Sequence, residues 1–195
     1  MKLILASSSP RRAEILRNAG FAFEIIAVPM DESVLPGESA HAMVARLAEA
    51  KALAAAAQLG AGLRDCIVVG ADTTVALGGE ILGKPEDSAH AREMLVKLSG
   101  RTHHVLTGIF LVRSPGNATR AAVESTDVTF ARLTEQQIDS YVASGEPFGK
   151  AGSYAIQGLG GRMIPGIAGC YFNVVGMPLS KLSTLLFELG WRDEV

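Results

Sequence analysis

An aspartate stands where few strands tolerate one. Cys66-Ile67-Val68-Val69 is a short apolar run, Val75-Ala76-Leu77 resumes it, and Asp72 lies between them in Gly70-Ala71-Asp72-Thr73-Thr74. An unpaired carboxylate in such surroundings is costly, so Asp72 requires partners. A catalytic acid meets that requirement, and so does an aspartate that caps a turn or pairs with an arginine. The local sequence leaves both open. A second reactive group is Ser7-Ser8-Ser9-Pro10-Arg11-Arg12, three hydroxyls and two guanidiniums placed directly after the short apolar run Leu3-Ile4-Leu5-Ala6. Ser9 suits a helix N-cap and Pro10 the first helical position, so the segment reads as strand, polar loop and helix start. Such a junction offers unpaired N–H groups and the positive end of a helix dipole, which suits a phosphate. The competing reading is a capped helix with surface arginines, and three serines beside two arginines tip the balance towards phosphate.

Other charged residues gain meaning only from that anion. Asp31 and Glu32 are adjacent carboxylates in the loop Pro29-Met30-Asp31-Glu32-Ser33. Paired acids in loops are commonly just solvated, but beside a phosphate they are oxygen ligands for a divalent ion. Lys51, on a helix, reads by itself as a surface lysine whose stem covers apolar neighbours. Lys84 precedes Pro85 and is therefore held extended, which can aim its ammonium into a site. The stretch 145–161 has glycine at 145, 149, 152, 158, 160 and 161, so its backbone can approach a ligand closely. It has neither the P-loop order nor G-x-G-x-x-G. Tyr154-Ala155-Ile156 inside it argues against a floppy connector. His103 and His104 are neighbours on a predicted strand, point to opposite faces and cannot share a metal. Cys66 and Cys170 match no zinc spacing and no disulfide framework, and read as buried free thiols.

The elements that must position these groups are legible from periodicity. Strands are expected at Leu3 to Ala6, Phe21 to Val28, and on both sides of Asp72. Gly78-Gly79 turns a hairpin into Glu80 to Leu82. Two further strands, Thr102 to Val112 and Thr119 to Phe130, are joined by Ser114-Pro115-Gly116-Asn117, and two last strands are expected at Arg162 to Ile167 and Tyr171 to Val175. Helices are expected after Ser9, from Ser39 to Leu59 with Gly60 closing it, after Asp87, after the capping box Thr134-Glu135-Gln136-Gln137, and after Pro178. In the long alanine-rich helix, Val44, Leu47, Ala48, Ala52 and Ala55 supply the buried stripe. The sequence has 195 residues, 48% hydrophobic and 19% charged, with net charge −2. Those values fit one globular domain and argue against a nucleic-acid partner. No stretch of about 18 apolar residues occurs, so no membrane span is expected. A soluble cytoplasmic protein is the default expectation.

Six blocks, in order and at fitting spacings, resemble the Maf nucleotide pyrophosphatases. They are Leu5-Ala6-Ser7-Ser8-Ser9-Pro10-Arg11-Arg12; Gly70-Ala71-Asp72-Thr73; Gly83-Lys84-Pro85; Leu98-Ser99-Gly100-Arg101-Thr102-His103; Lys150-Ala151-Gly152-Ser153-Tyr154-Ala155-Ile156-Gln157-Gly158; and Asn173-Val174-Val175-Gly176-Met177-Pro178-Leu179. The resemblance implies a mixed α/β fold, an elongated curved sheet with flanking helices in two lobes around a central cleft (Maf/ITPase-like), with residues 1–195 as a single domain. It implies a homodimer. It also implies hydrolysis of a nucleoside triphosphate to the monophosphate and pyrophosphate with Mg²⁺ or Mn²⁺, as house-cleaning of nucleotide pools. Carried over by motif, Asp72 matches the family's proton acceptor. Arg11, Thr73 and Gln157 match the positions that distinguish its subfamilies, and they carry the set of the dTTP/UTP branch. A sister branch acting on 7-methyl-GTP has Trp, Gln and Glu there. The departures are small: Ser8 stands where many members carry another small or polar residue, and Ser153-Tyr154-Ala155 where Ala-Tyr-Gly is common.

Residue chemistry is compatible with the same reaction. Ser9, Arg11, Arg12, Lys51 and Lys84 are donors for a polyanionic triphosphate, arginine as a two-pronged grip and lysine as a point charge. Glu32 and Asp72 are the expected metal ligands, and Glu32 is preferred to Asp31 only because the family pattern favours it. Asp72 would also take the proton of the attacking water, with attack at the α-phosphorus. Gln157 both donates and accepts, so it can read the imide edge of uracil or thymine. Two other readings stay open: a 7-methyl-GTP pyrophosphatase, and a nucleotide-binding regulator of septum formation with incidental catalysis.

Overall fold

A computed structural model of the chain describes residues 1–59 and 65–192. In chain order the elements are β1 (Lys2–Ala6), α1 (Pro10–Asn18), β2 (Phe23–Ile25), α2 (Ala40–Leu59), β3 (Cys66–Leu77), β4 (Glu80–Leu82), α3 (Ser88–Leu98), β5 (Thr102–Ser114), β6 (Thr119–Thr129), α4 (Glu135–Ala143), β7 (Gly166–Ala168), α5 (Tyr171–Val175) and α6 (Leu179–Glu188). Short 3₁₀ turns occupy Ala151–Ser153 and Gly158–Met163. The strands form one mixed seven-stranded sheet in the order β2-β1-β3-β5-β6-β7, with β4 paired to β3. β1 runs parallel to β2 and β3, while β5 is antiparallel to β3 and β6.

β3 and β5 are long and buried on both faces because helices cover both. Leu3, Leu5, Ile67, Val69, Ile109 and Leu111 pack on α1 and α6. Their alternates Ile4, Ala6, Cys66, Val68, Phe110 and Val112 pack on α2. This is the period-two alternation of a strand with an apolar partner on each side. The far end of β3 enters a different core: Val75 and Leu77 join Leu82, Met94, Leu95, Leu98, Phe130, Tyr141 and Tyr154.

α2 lies closer to the sheet than most helices because glycines face it. A Cβ on Gly70 would stand 2.1 Å from the carbonyl oxygen of Ala48 and 2.7 Å from the nitrogen of Ala52. One on Gly108 would stand 2.3 Å from the carbonyl oxygen of Val44. All three distances are shorter than real Cβ contacts, so helix backbone rests on strand backbone. This seating brings the next residue of α2 on that face, Lys51, down to the level of Asp72.

Most expected elements form. Ser9 caps α1, Asp87 caps α3 and Thr134 closes a capping box on α4. Ser39 Oγ accepts the N–H of Ala42 at the start of α2, and Gly60, expected to close that helix, lies outside the described residues. The Gly78-Gly79 hairpin pairs Leu77 with Glu80. Three expectations need correction. The strand expected from Phe21 to Val28 is only Phe23–Ile25, because the chain turns away as a loop after Ile26. Of the strand expected over Arg162 to Ile167, only the end pairs: Arg162 belongs to a 3₁₀ turn and β7 starts at Gly166. Tyr171 to Val175 is a helix, despite its aromatic and β-branched composition. Tertiary bonding decides it. The buried Asn173 amide donates to the carbonyl of Val105 at 2.9 Å and to Thr126 Oγ1 at 3.0 Å, fixing α5 on the sheet. Cys66 is buried as expected, but Cys170 is only half-buried. Among the described residues no helix is long and apolar enough to cross a membrane.

Candidate active site

The site arises from a gap in one edge of β3. β5 pairs with β3 from Cys66 to Ala76 on one side. On the other side β1 pairs with Cys66 to Gly70, and β4 only with Val75 to Leu77. Among the described residues, 71–74 have no strand neighbour there, because the chain leaves β1 at Ala6 and enters Ser7-Ser8-Ser9. A cavity of about 660 Å³ opens at this gap. Parallel strands commonly place their sites beyond the carboxyl end of a strand such as β1. Every residue expected to act on substrate or metal lines it: Ser9, Arg11, Arg12, Glu32, Lys51, Asp72, Thr73, Lys84 and Gln157. Adjacent strand residues face opposite ways, so Asp72 looks towards α2 and Thr73 towards α1 and α5.

On the α2 side an alternating chain of charges forms. Lys51 Nζ lies 2.6 Å from Asp72 Oδ1 and 2.6 Å from Glu32 Oε1, and Lys84 Nζ lies 2.6 Å from Glu32 Oε2. Lys51 is 9% exposed, so it is a buried bridge and not the surface lysine its helix suggested. Such a buried ammonium requires both carboxylates. Burial pushes the Glu32 carboxyl up, but the hydrogen bonds and charges of Lys51 and Lys84 outweigh it and hold the pKa at about 2. Asp31 is tied back by Ser33, whose N–H and hydroxyl donate to its Oδ1; Glu32 is the acid that reaches the cleft. Its loop is strapped to α2 by Arg46, which donates to both carboxylate oxygens of Glu38 at 2.6 and 2.7 Å. The Oδ2 of Asp72 carries no hydrogen bond among the described residues.

Among the described residues no cluster of three or more His, Cys, Asp or Glu side chains could hold a metal. A protein-only cage is therefore not present there. Glu32 and Asp72, which share one ammonium, do fit the habit of Mg²⁺: one or two carboxylates, completed by substrate phosphates and water.

The opposite wall has a different character. Arg12 is buried and braced three ways: Nε donates to the carbonyl of Gly176 at 2.9 Å, Nη1 to Ser7 Oγ at 3.0 Å and Nη2 to Thr73 Oγ1 at 2.9 Å. Burial lowers its pKa, against the opposing pull of Asp72 and Glu32. Arg11, half-buried beside it, forms no hydrogen bond or ion pair among the described residues. Lys150 faces the same space. Its ammonium donates to the backbone carbonyls of Glu146 and Phe148. Burial lowers its pKa, and so does the charge of Arg11. Gln157 adds a half-buried amide with no side-chain partner among the described residues.

Glu146 shapes this wall from behind. Its carboxylate accepts from Tyr141 Oη and from the N–H groups of Leu159 and Gly160, each at 2.9 Å. A Cβ on Gly158, at φ +77°, would stand 2.6 Å from that carboxylate, so this turn needs glycine. His103 is fully buried against Tyr154, with Nε2 2.7 Å from the phenol oxygen. Burial, then the charge of His104, takes its pKa down to about 4. His104 points away to Asp127, so the two histidines face opposite ways as expected.

Lys150, Glu146 and the Arg46–Glu38 strap are not among the residues expected from the sequence. Lys150 lay within the glycine-rich stretch, and a lone lysine beside Gly149 was the available signal. The others act through partners 5 to 14 residues away, at spacings that follow no helix or strand period.

The chain matches the family of Maf-like proteins over residues 2–189. A dTTP/UTP pyrophosphatase of Moorella thermoacetica is 49% identical over 97% of this chain and 95% of its own. One from Shigella boydii serotype 4 is 50% identical over 94% and 91%, and one from Clostridioides difficile strain 630 is 45% identical over 95% and 94%. A solved nucleoside-triphosphatase / dITP/XTP pyrophosphatase from Mycobacterium abscessus covers 94% of this chain and 93% of its own at 18% identity, with a TM-score of 0.39, too distant a likeness to bear on the site. With a match that runs from β1 through α6, and relatives almost half identical over nearly their full length, the chain belongs to the Maf family.

Proposed function

We propose that the protein hydrolyses dTTP and UTP to the monophosphate and pyrophosphate. The observation that carries this reading is the meeting, at one gap in the sheet, of an acid–lysine chain with a wall of cations that form no ion pair among the described residues. Five cations line the cleft, Arg11, Arg12, Lys51, Lys84 and Lys150, against two carboxylates. That local excess sits in a chain of net charge −2, so it is built for a polyanion. The names of the relatives support a pyrimidine triphosphate.

In this reading water attacks the α-phosphorus. The new bond is water oxygen to phosphorus, and the bond that breaks joins the α-phosphorus to the oxygen bridging to the β-phosphate. Asp72 takes the proton of the water on Oδ2, while Lys51 holds Oδ1 and fixes the carboxylate's direction. Pyrophosphate leaves with its charge offset by Arg12, Arg11 and Lys150. Gln157 pairs with the imide edge of the base. A Mg²⁺ or Mn²⁺ ion, held by Glu32 and Asp72 together with substrate oxygens, would supply charge neutralisation when bound.

The test is pyrophosphate release from dTTP, UTP, CTP, GTP and 7-methyl-GTP, with Mg²⁺ or Mn²⁺ and with chelator. Fast, metal-dependent release from dTTP and UTP, and little from the others, is expected. A preference for 7-methyl-GTP, or no release from any nucleotide, would overturn the reading.

A further inference from the structure

Thr73 and Thr107 face each other across β3 and β5, and their hydrogens can be counted. Thr107 Oγ1 lies 3.1 Å from the carbonyl oxygen of Asn173, which can only accept, so the Thr107 hydrogen goes there. Thr107 Oγ1 also lies 2.9 Å from Thr73 Oγ1. With its own hydrogen committed, Thr107 must accept, and Thr73 must donate. Arg12 Nη2 in turn donates to Thr73 Oγ1. The chain has one direction: Arg12 N–H to Thr73, Thr73 O–H to Thr107, Thr107 O–H to the carbonyl of Asn173.

Two consequences follow. The Thr73 hydroxyl has no hydrogen left for a substrate base, although Thr73 lines the cleft. The guanidinium is held by a closed ring of contacts, because Gly176, just beyond α5, accepts from Arg12 Nε while Asn173, within α5, ends the hydroxyl chain. Thr107 is fully buried, so it cannot touch a nucleotide itself. A hydrogen-bonded row that starts at a cation is polarised along its length, and an unpaired member in a buried row is costly.

We propose that Thr107 is a positioning residue for the reaction: through Thr73 it aims Arg12 at the phosphates, and Thr73 acts on substrate through that guanidinium and not by donating to the base. This rests on the dTTP/UTP reading for its kinetic test but not for its binding test.

The experiment compares wild type with Thr107→Val and Thr107→Ser. On dTTP and UTP, Thr107→Val lowers kcat/KM by about tenfold for both, the scale of one lost buried hydrogen bond to a charged network, and the ratio between the two substrates stays unchanged. Thr107→Ser keeps the hydroxyl and restores the rate. Binding of inorganic tripolyphosphate, followed by calorimetry without turnover, weakens in Thr107→Val and recovers in Thr107→Ser. Wild-type-like kinetics and binding in Thr107→Val, equal impairment in Thr107→Ser, or a several-fold change in the dTTP-to-UTP ratio would overturn the proposal. If Thr107→Val does not fold by circular dichroism, Thr73→Val removes the next hydroxyl in the row and must give the same uniform loss. A wild type that binds tripolyphosphate but hydrolyses neither nucleotide would count against the substrate reading alone, and the binding comparison would still decide the role of Thr107.

Discussion

The two walls of the cleft solve opposite electrostatic problems. On the α2 side Glu32, Lys51, Asp72 and Lys84 alternate in sign and neutralise one another. On the α1 side Arg11, Arg12 and Lys150 bring three cations, none of them in an ion pair among the described residues. The first group is complete without substrate, so its geometry is set before a nucleotide arrives. The second gathers like charge: burial lowers the pKa of Lys150 and the charge of Arg11 adds to it, so an entering anion would be favoured there. A neutralised chain of acids and lysines and a cluster of cations are thus kept on two faces of one strand. Asp72 and Thr73, one residue apart, mark the division.

The difference can be broken from either side. Asp72→Asn keeps the shape and removes the charge of the proposed proton acceptor. Turnover is expected to fall by about 10³-fold, within the range for loss of a general base, while circular dichroism and thermal melting show a folded protein. Retained turnover would remove Asp72 from the chemistry. Arg11→Ala acts on the other wall. Its main effect is expected to be a rise in KM of about tenfold, with a weaker dependence of KM on salt, because a phosphate contact from a half-buried arginine is partly screened by ions. An unchanged KM would place the phosphates elsewhere.

The smallest effect is on stability. Glu32 sits at about 2 in the folded protein against an ordinary 4.5. A carboxyl whose pKa is lowered by folding contributes stability that is complete above its unfolded value and disappears as pH falls towards the folded one. Stability is therefore expected to decline between pH 4.5 and about 2, and Glu32→Gln should flatten that part of the curve. An acid-unfolding profile identical to wild type would mean that the lysines do not hold Glu32.

Much of this division was legible in the sequence, but unevenly. The isolated aspartate in an apolar run, the serines before Pro10 and the cap residues Asp87 and Thr134 are local signals, and the structure places them as expected. The burial of Lys51 was not legible, because it depends on Gly70 and Gly108 letting α2 settle onto β3 and β5. Those contacts join residues far apart in sequence. Arg12 was expected to grip phosphate, and the structure shows three of its N–H groups already engaged by Ser7, Thr73 and Gly176. Tyr171 to Val175 was misread because propensity favours a strand there, whereas the Asn173 side chain pins a helix turn to β5 and β6. Local pattern determined the elements, and long-range hydrogen bonds determined what the charged residues are free to do.

The division of labour makes one claim about bond breaking: Asp72 activates water at the α-phosphorus, and the arginine wall holds what leaves. Hydrolysis of dTTP in ¹⁸O-labelled water, with both products analysed by mass spectrometry, tests it directly. The label is expected in dTMP, with none in pyrophosphate. Label in pyrophosphate would place attack at the β-phosphorus and contradict the assignment of the two walls.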